Sequence, residues 1–141
     1  MDGRGRPDSS GPIDGDGRRS LYLSVRRNFL PPMLLAFDFP APASTMGRRN
    51  TSNVPAQALT MLDDPFVLGQ ARIWADRILA EPGKSASQRL SSAYLSAFGR
   101  PPSEAELADA LLFLRGRESD ATAWADLAHV LFNVKEFLFI P

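Results

Sequence analysis

The chain has 141 residues, with 16 basic and 16 acidic side chains and a formal net charge of zero. That length suits one domain, and zero net charge gives no electrostatic case for nucleic acid or a membrane surface. The absence of cysteine removes disulfides, zinc–thiolate sites, iron–sulfur clusters and thioether haem attachment from within the chain.

Residues 1–17 are rich in Gly and Asp, with Met1 and Ile13 as their only large apolar side chains. They read as a disordered lead-in without the apolar core of a signal peptide. A single helical domain is expected over residues 18–141. At its start, Leu21, Leu23 and Val25 alternate with Tyr22, Ser24 and Arg26, the period of a short strand or an extended segment. Four prolines follow. Pro32 can open a short helix over Met33–Phe37, since its missing N–H is not needed in a first turn. "FDFPAP" must then be extended. Asp38, the one acid in this stretch, is expected to pair with an arginine.

From residue 53 the pattern turns helical. Ser52 or Asn53 can cap and Pro55 suits the first turn of a helix through Leu62. Asp64 is the expected N-cap and Pro65 the first residue of the next helix, which runs to about Glu81. Val67, Ala71, Trp74 and Ile78 form its apolar stripe, and Arg77 is placed to meet Glu81 at i+4. A third helix is expected over Ala86–Phe98, with Leu90, Ala93, Tyr94, Ala97 and Phe98 inward and Gly99 as a left-handed stop. Ser103-Glu104-Ala105-Glu106 is a capping box ahead of Leu107, Ala110, Leu111 and Leu114. The last helix is expected from about Ala121 to Val134 on Trp124, Leu127, Ala128 and Leu131. The apolar tail "EFLFIP" should pack rather than lie exposed. The fold class is thus mainly α: a four- to five-helix bundle after an Arg/Pro-rich extended or irregular segment, with at most one short strand.

The chemistry-bearing residues form no catalytic constellation. His129 is the only histidine and there is no cysteine, so neither a standard metal set nor a Ser-His-Asp triad can be assembled. No metal or cofactor site is expected, and His129 reads as an edge or surface residue of its helix. Asp63-Asp64 precede a proline and read as caps. What remains is an uneven distribution of arginine. Residues 19–53 hold five arginines against Asp38 alone, whereas residues 54–141 hold eight basic and eleven acidic side chains. Arginine holds planar anions in a fork. The basic stretch therefore suits either docking onto an acidic surface or capture of an anionic ligand such as an acidic glycan. Arg26, Arg48, Arg49 and Asn50 are the candidate ligand-binding residues. Asp38, Ser52, Asn53, Pro55 and Gln57 are the accompanying structural positions.

"RRSLYLSVRRNFLPPMLLAFDFPAPASTMGRRNTSNVPAQALTMLDDPFV", then "AYLSAFGRPPSEAEL" and "HVLFNVKEFLFIP", together resemble one family over residues 18–141. This is the C-terminal domain of unknown function of large planctomycete-type proteins. Members often carry a planctomycete cytochrome-c domain and a second domain of unknown function upstream, and are usually exported. The resemblance implies that the chain is the C-terminal part of a longer protein, that any haem sits upstream, and that the upstream domains are partners. It implies no activity and no catalytic residues. Arg48, Arg49, Asn50, Ser52, Pro55 and Gln57 fall in its densest motif. The expected function is a structural or interaction domain without catalysis of its own. The alternative is the anion-binding part of an enzyme or electron-transfer protein.

Overall fold

The computed structural model describes Tyr22, Leu30, residues 32–37 and residues 55–138. Among these residues there are seven helices and no strand: α1 Pro32–Ala36, α2 Pro55–Asp63, α3 Pro65–Ala80, α4 Ala86–Phe98, α5 Glu104–Leu114, α6 Ala121–Phe132 and α7 Lys135–Leu138. The expected strand at Leu21–Val25 lies outside the described residues except for Tyr22. The chain divides into two compact units, Met1–Thr60 and Met61–Pro141.

In the first unit, α1 starts at Pro32 as anticipated, and the Phe37 N–H closes its end on the Met33 carbonyl at 3.2 Å. Pro55 begins α2, where a residue without an N–H removes no helical hydrogen bond.

The second unit is built from helices with explicit ends. The Asp64 carboxylate accepts from the Phe66 N–H at 2.8 Å, and Pro65 is the first residue of α3. α4 opens on a capping box that the sequence reading did not single out: Ser85 accepts from the Gln88 N–H, and Gln88 Oε1 accepts from the Ser85 N–H. It ends at Gly99, whose φ of 70° is readily adopted only without a Cβ. α5 carries the anticipated Ser103/Glu106 box, and its first-turn acids Glu104 and Glu106 also face the positive end of the helix dipole. Asp120 caps α6 through the Thr122 N–H at 2.8 Å.

The core lies among α3, α4, α5 and α6. Ala75, Ile78, Leu90, Tyr94, Leu114, Trp124, Leu127 and Leu131 are buried in one cluster. α3 and α6 pack most extensively, and the buried alanines 71, 75, 123 and 128 on their surfaces permit two helix backbones to approach closely. Burying one polar atom here requires a partner: the Trp124 indole N–H donates to the Glu118 carbonyl at 2.9 Å.

Three expectations need correction. The inward stripe of α3 runs through Ala75, not Trp74; Trp74 is half-buried at the edge, stacked on Phe132. Ala75 is fully buried, while Trp74 packs against the same core from its rim. Glu81 pairs with Lys84 rather than Arg77. α6 stops at Phe132, two residues early, and the tail forms the separate turn α7. The Asn133 side chain donates to the His129 carbonyl at 2.9 Å; a side chain competing for the backbone in this way ends helices. Within the tail, Phe137 lies 5.0 Å from Phe132 between ring centres and stays partly exposed; residues 139–141 lie outside the described residues.

Candidate functional site

Arg26, Arg48, Arg49 and Asn50, with Asp38, Ser52 and Asn53, lie outside the described residues. Of the predicted set, only Pro55 and Gln57 are placed: Pro55 starts α2, and Gln57 is on its half-buried side. The described residues instead bring polar side chains together in the second unit, at three places.

The first is a groove of about 400 Å³ between α3 and α6. Arg72 and Asp76 enter from α3, and Thr122, Asp126 and His129 from α6, at i+4 and i+3 spacings that put each set on one helix face. Ala71, Ala121 and Ala125 are too small to fill it. His129 is nevertheless committed. Its Nε2 lies 2.8 Å from the Met61 carbonyl. A carbonyl only accepts, so Nε2 carries the proton. Met61 is in the last turn of α2, where carbonyls have no partner within the helix. His129 supplies that partner, supported by Asn133 Nδ2 at 3.4 Å. Of the two expected positions, edge or surface, His129 takes the half-buried edge, with a fold-holding contact that only the tertiary structure reveals. Among the described residues, no group of three or more His, Asp and Glu side chains could hold a metal ion.

The second place is Arg100. Its Nε and Nη2 donate to the two oxygens of Glu136 at 2.8 Å each, and its Nη1 and Nη2 donate to Glu106 at 2.9 and 2.8 Å. The guanidinium also lies over the Phe98 ring, 5.7 Å from its centre. One fork thus ties the end of α4, the start of α5 and α7. The hydrogen bonds from Arg100, with that from the Ser103 N–H, pull the Glu106 carboxyl down to about 2. The same arginine lowers Glu136, and the two carboxylates raise the arginine in turn. Nearby, burial first and the Glu106 charge second push the Tyr94 hydroxyl upward.

The third is Arg89 on α4. Its Nη2 donates to the carbonyls of Leu79 at 3.3 Å and Glu81 at 2.9 Å, capping the end of α3. Its Nε is buried without an acceptor.

Arg100 and Arg89 were not singled out from the sequence. A local signal existed for Arg100: it follows the helix-stopping Gly99 and stands just before a box whose Glu106 needs a cation. Its other partner, Glu136, is 36 residues away. Arg89 meets backbone carbonyls, which leave no trace in residue types.

The model of a family described as PSD1, protein of unknown function (DUF1553), matches residues 6–114. The chain belongs to this family. The match ends with the last residue of α5, so α6 and α7, including Trp124 and Glu136, lie beyond it; the resemblance read from the sequence reaches further, to residue 141. Neither a curated protein nor a solved structure matches the chain. Among the described residues, no helix is long and apolar enough to cross a membrane.

Proposed function

We propose that this DUF1553 chain is a non-catalytic structural or interaction domain forming the C-terminal part of a larger exported protein. The observation that supports this reading is how its polar side chains are used. His129, Arg89, Asn133, Asp64, Ser85, Ser103 and Asp120 are all hydrogen-bonded to backbone groups at helix ends or turns. Catalytic groups, by contrast, need a free edge aimed at a reacting atom.

The test joins this chain with the polypeptide encoded in frame upstream of it. Co-expression and size-exclusion chromatography should give a stable complex or a continuous protein whose upstream part melts higher with this chain attached. Independent melting of the two parts would overturn the reading. Titration with sulfated and carboxylated glycans tests the alternative: saturable binding abolished in Arg48→Ala and Arg49→Ala variants would move the function to anion capture.

A further inference from the structure

The helix α5 is apolar nearly all round. It packs on α4 and α6 and buries Ala110 and Leu114. Of its exposed residues, Ala105, Ala108, Leu112 and Phe113 are apolar, and only Glu104 and Asp109 are charged. A helix that buries one stripe ordinarily turns a polar face to water. Here Leu112 stands opposite the buried pair at the helical step and is 60% exposed. Ala108 lies to one side of it and Ala105 to the other, about 40° and about 20° away. The outward face thus sets two small side chains beside one projecting large one. Contiguous exposed apolar surface marks a contact site.

The charges at the two ends of α5 say which partner fits. Glu104 opens the helix and Arg115 stands at its C-terminal cap position. Both are exposed, and neither has an ion-pair partner among the described residues. They are about 16 Å apart along the helix, too far to meet within one chain. Around the helix, both fall on the Ala108 flank of Leu112. The midpoint between Ala108 and Leu112 is residue 110, and that between Glu104 and Arg115 lies about half a residue from it. A two-fold axis level with residue 110, normal to a pair of such helices, carries each residue to the mirrored height on the other helix and keeps it on the same flank. Leu112 of each copy then seats over Ala108 of the other, and Arg115 of each meets Glu104 of the other. A parallel pair would instead set Glu104 beside Glu104 and Arg115 beside Arg115, and would align the two helix dipoles unfavourably.

We propose that α5 is the contact face of a homodimer, in which two copies of this chain pack antiparallel through α5 about that two-fold axis. The contact is isologous, so one surface supplies both halves. It is also small. A single pair of short helices buries less than the roughly 1,200 Å² of a stable complex, so the dimer forms at about 0.1 mM chain. The axis brings the two Asp109 carboxylates near each other on the opposite flank, where like charges repel and hold the affinity down. The proposal stands apart from the upstream-partner reading and does not rest on it.

Sedimentation equilibrium of the whole chain from about 10 µM to about 1 mM should show the 15.4 kDa monomer passing to a dimer. Amide shifts that move with concentration should map to α5. Leu112→Glu should weaken association at least about tenfold with little change in melting, because the side chain is exposed. Asp109→Asn should tighten it. Glu104→Arg and Arg115→Glu should each weaken self-association about tenfold or more. A one-to-one mixture of these two variants should recover it, because the mixed dimer restores both ion pairs. A wild-type chain that stays monomeric at about 1 mM overturns the proposal. So does association that Leu112→Glu leaves unchanged, or that neither charge reversal affects, or that the mixture fails to recover. If the wild type is monomeric and Leu112→Glu lowers the melting of the chain joined to its upstream polypeptide, that polypeptide occupies the face: the dimer is then wrong and the interaction reading survives.

Discussion

Replacing His129 with alanine tests whether the only imidazole of the chain serves the fold. The substitution removes the 2.8 Å hydrogen bond to the Met61 carbonyl. A net intramolecular hydrogen bond is worth about 1 kcal/mol, and an abandoned buried acceptor costs about 1–3 kcal/mol. Here the carbonyl keeps a long 3.4 Å contact to Asn133, and His129 is only half-buried, so the low end applies. The expected loss is about 1.5 kcal/mol. For a unit of this size, that lowers the melting temperature by about 6–12 °C. His129→Gln, which can present an N–H to the same carbonyl, should recover about half of it. Circular dichroism melts of the wild type, both variants and Asn133→Ala are sufficient. The double variant His129→Ala/Asn133→Ala should lose more than the sum of its parts, because only then is the carbonyl abandoned. An unchanged melt for His129→Ala refutes the reasoning, and would return the imidazole to the α3–α6 groove as a group available for chemistry.

Four further outcomes follow from the same structure. Leu90 is fully buried, so Leu90→Ala should cost about 2–5 kcal/mol in chemical denaturation. Ser103→Ala breaks the α5 capping box and should cost about 1 kcal/mol by the same measurement. The Glu106 carboxyl titrates at about 2 in the fold against an ordinary 4.5. A depressed carboxylate stabilises the fold above its unfolded value and ceases to do so as pH falls. Stability should therefore decline between about pH 4.5 and 2, and Arg100→Gln should shrink that slope in melts taken across this range. The Arg100 fork is partly solvent-exposed, so added salt should weaken it, and limited proteolysis should then cut at turn α7 earlier.

The elements of the second unit were legible because their signals are local. Asp64-Pro65, Ser103 with Glu106, and Gly99 ahead of two prolines are each a helix end written in three or four residues, and the structure places a helix end at each. The apolar spacing of α6 identified its buried face on Trp124, Leu127, Ala128 and Leu131. Local signals failed where two helices had to share a seam. Trp74 and Ala75 lie on either side of the same helical face; the structure buries the alanine fully and sets the indole at the rim of the core, stacked on Phe132 of α6. Likewise Val134 continues the pattern of α6, yet Asn133 ends the helix by turning its amide onto the His129 carbonyl.

The candidate site divides in the same way. The arginine-rich stretch through Arg48, Arg49 and Asn50 could be read in residue types, and it falls outside the described residues. The sites that the structure does show depend on partners far apart in sequence: His129 and the Met61 carbonyl, Arg100 and Glu136, Trp74 and Phe132. By itself, the sequence determined the class of fold, the ends of most helices and the family, because caps, glycines and apolar periodicity act over one or two turns. Only the tertiary structure decided which polar groups hold the described helices together, because that depends on where distant backbones meet.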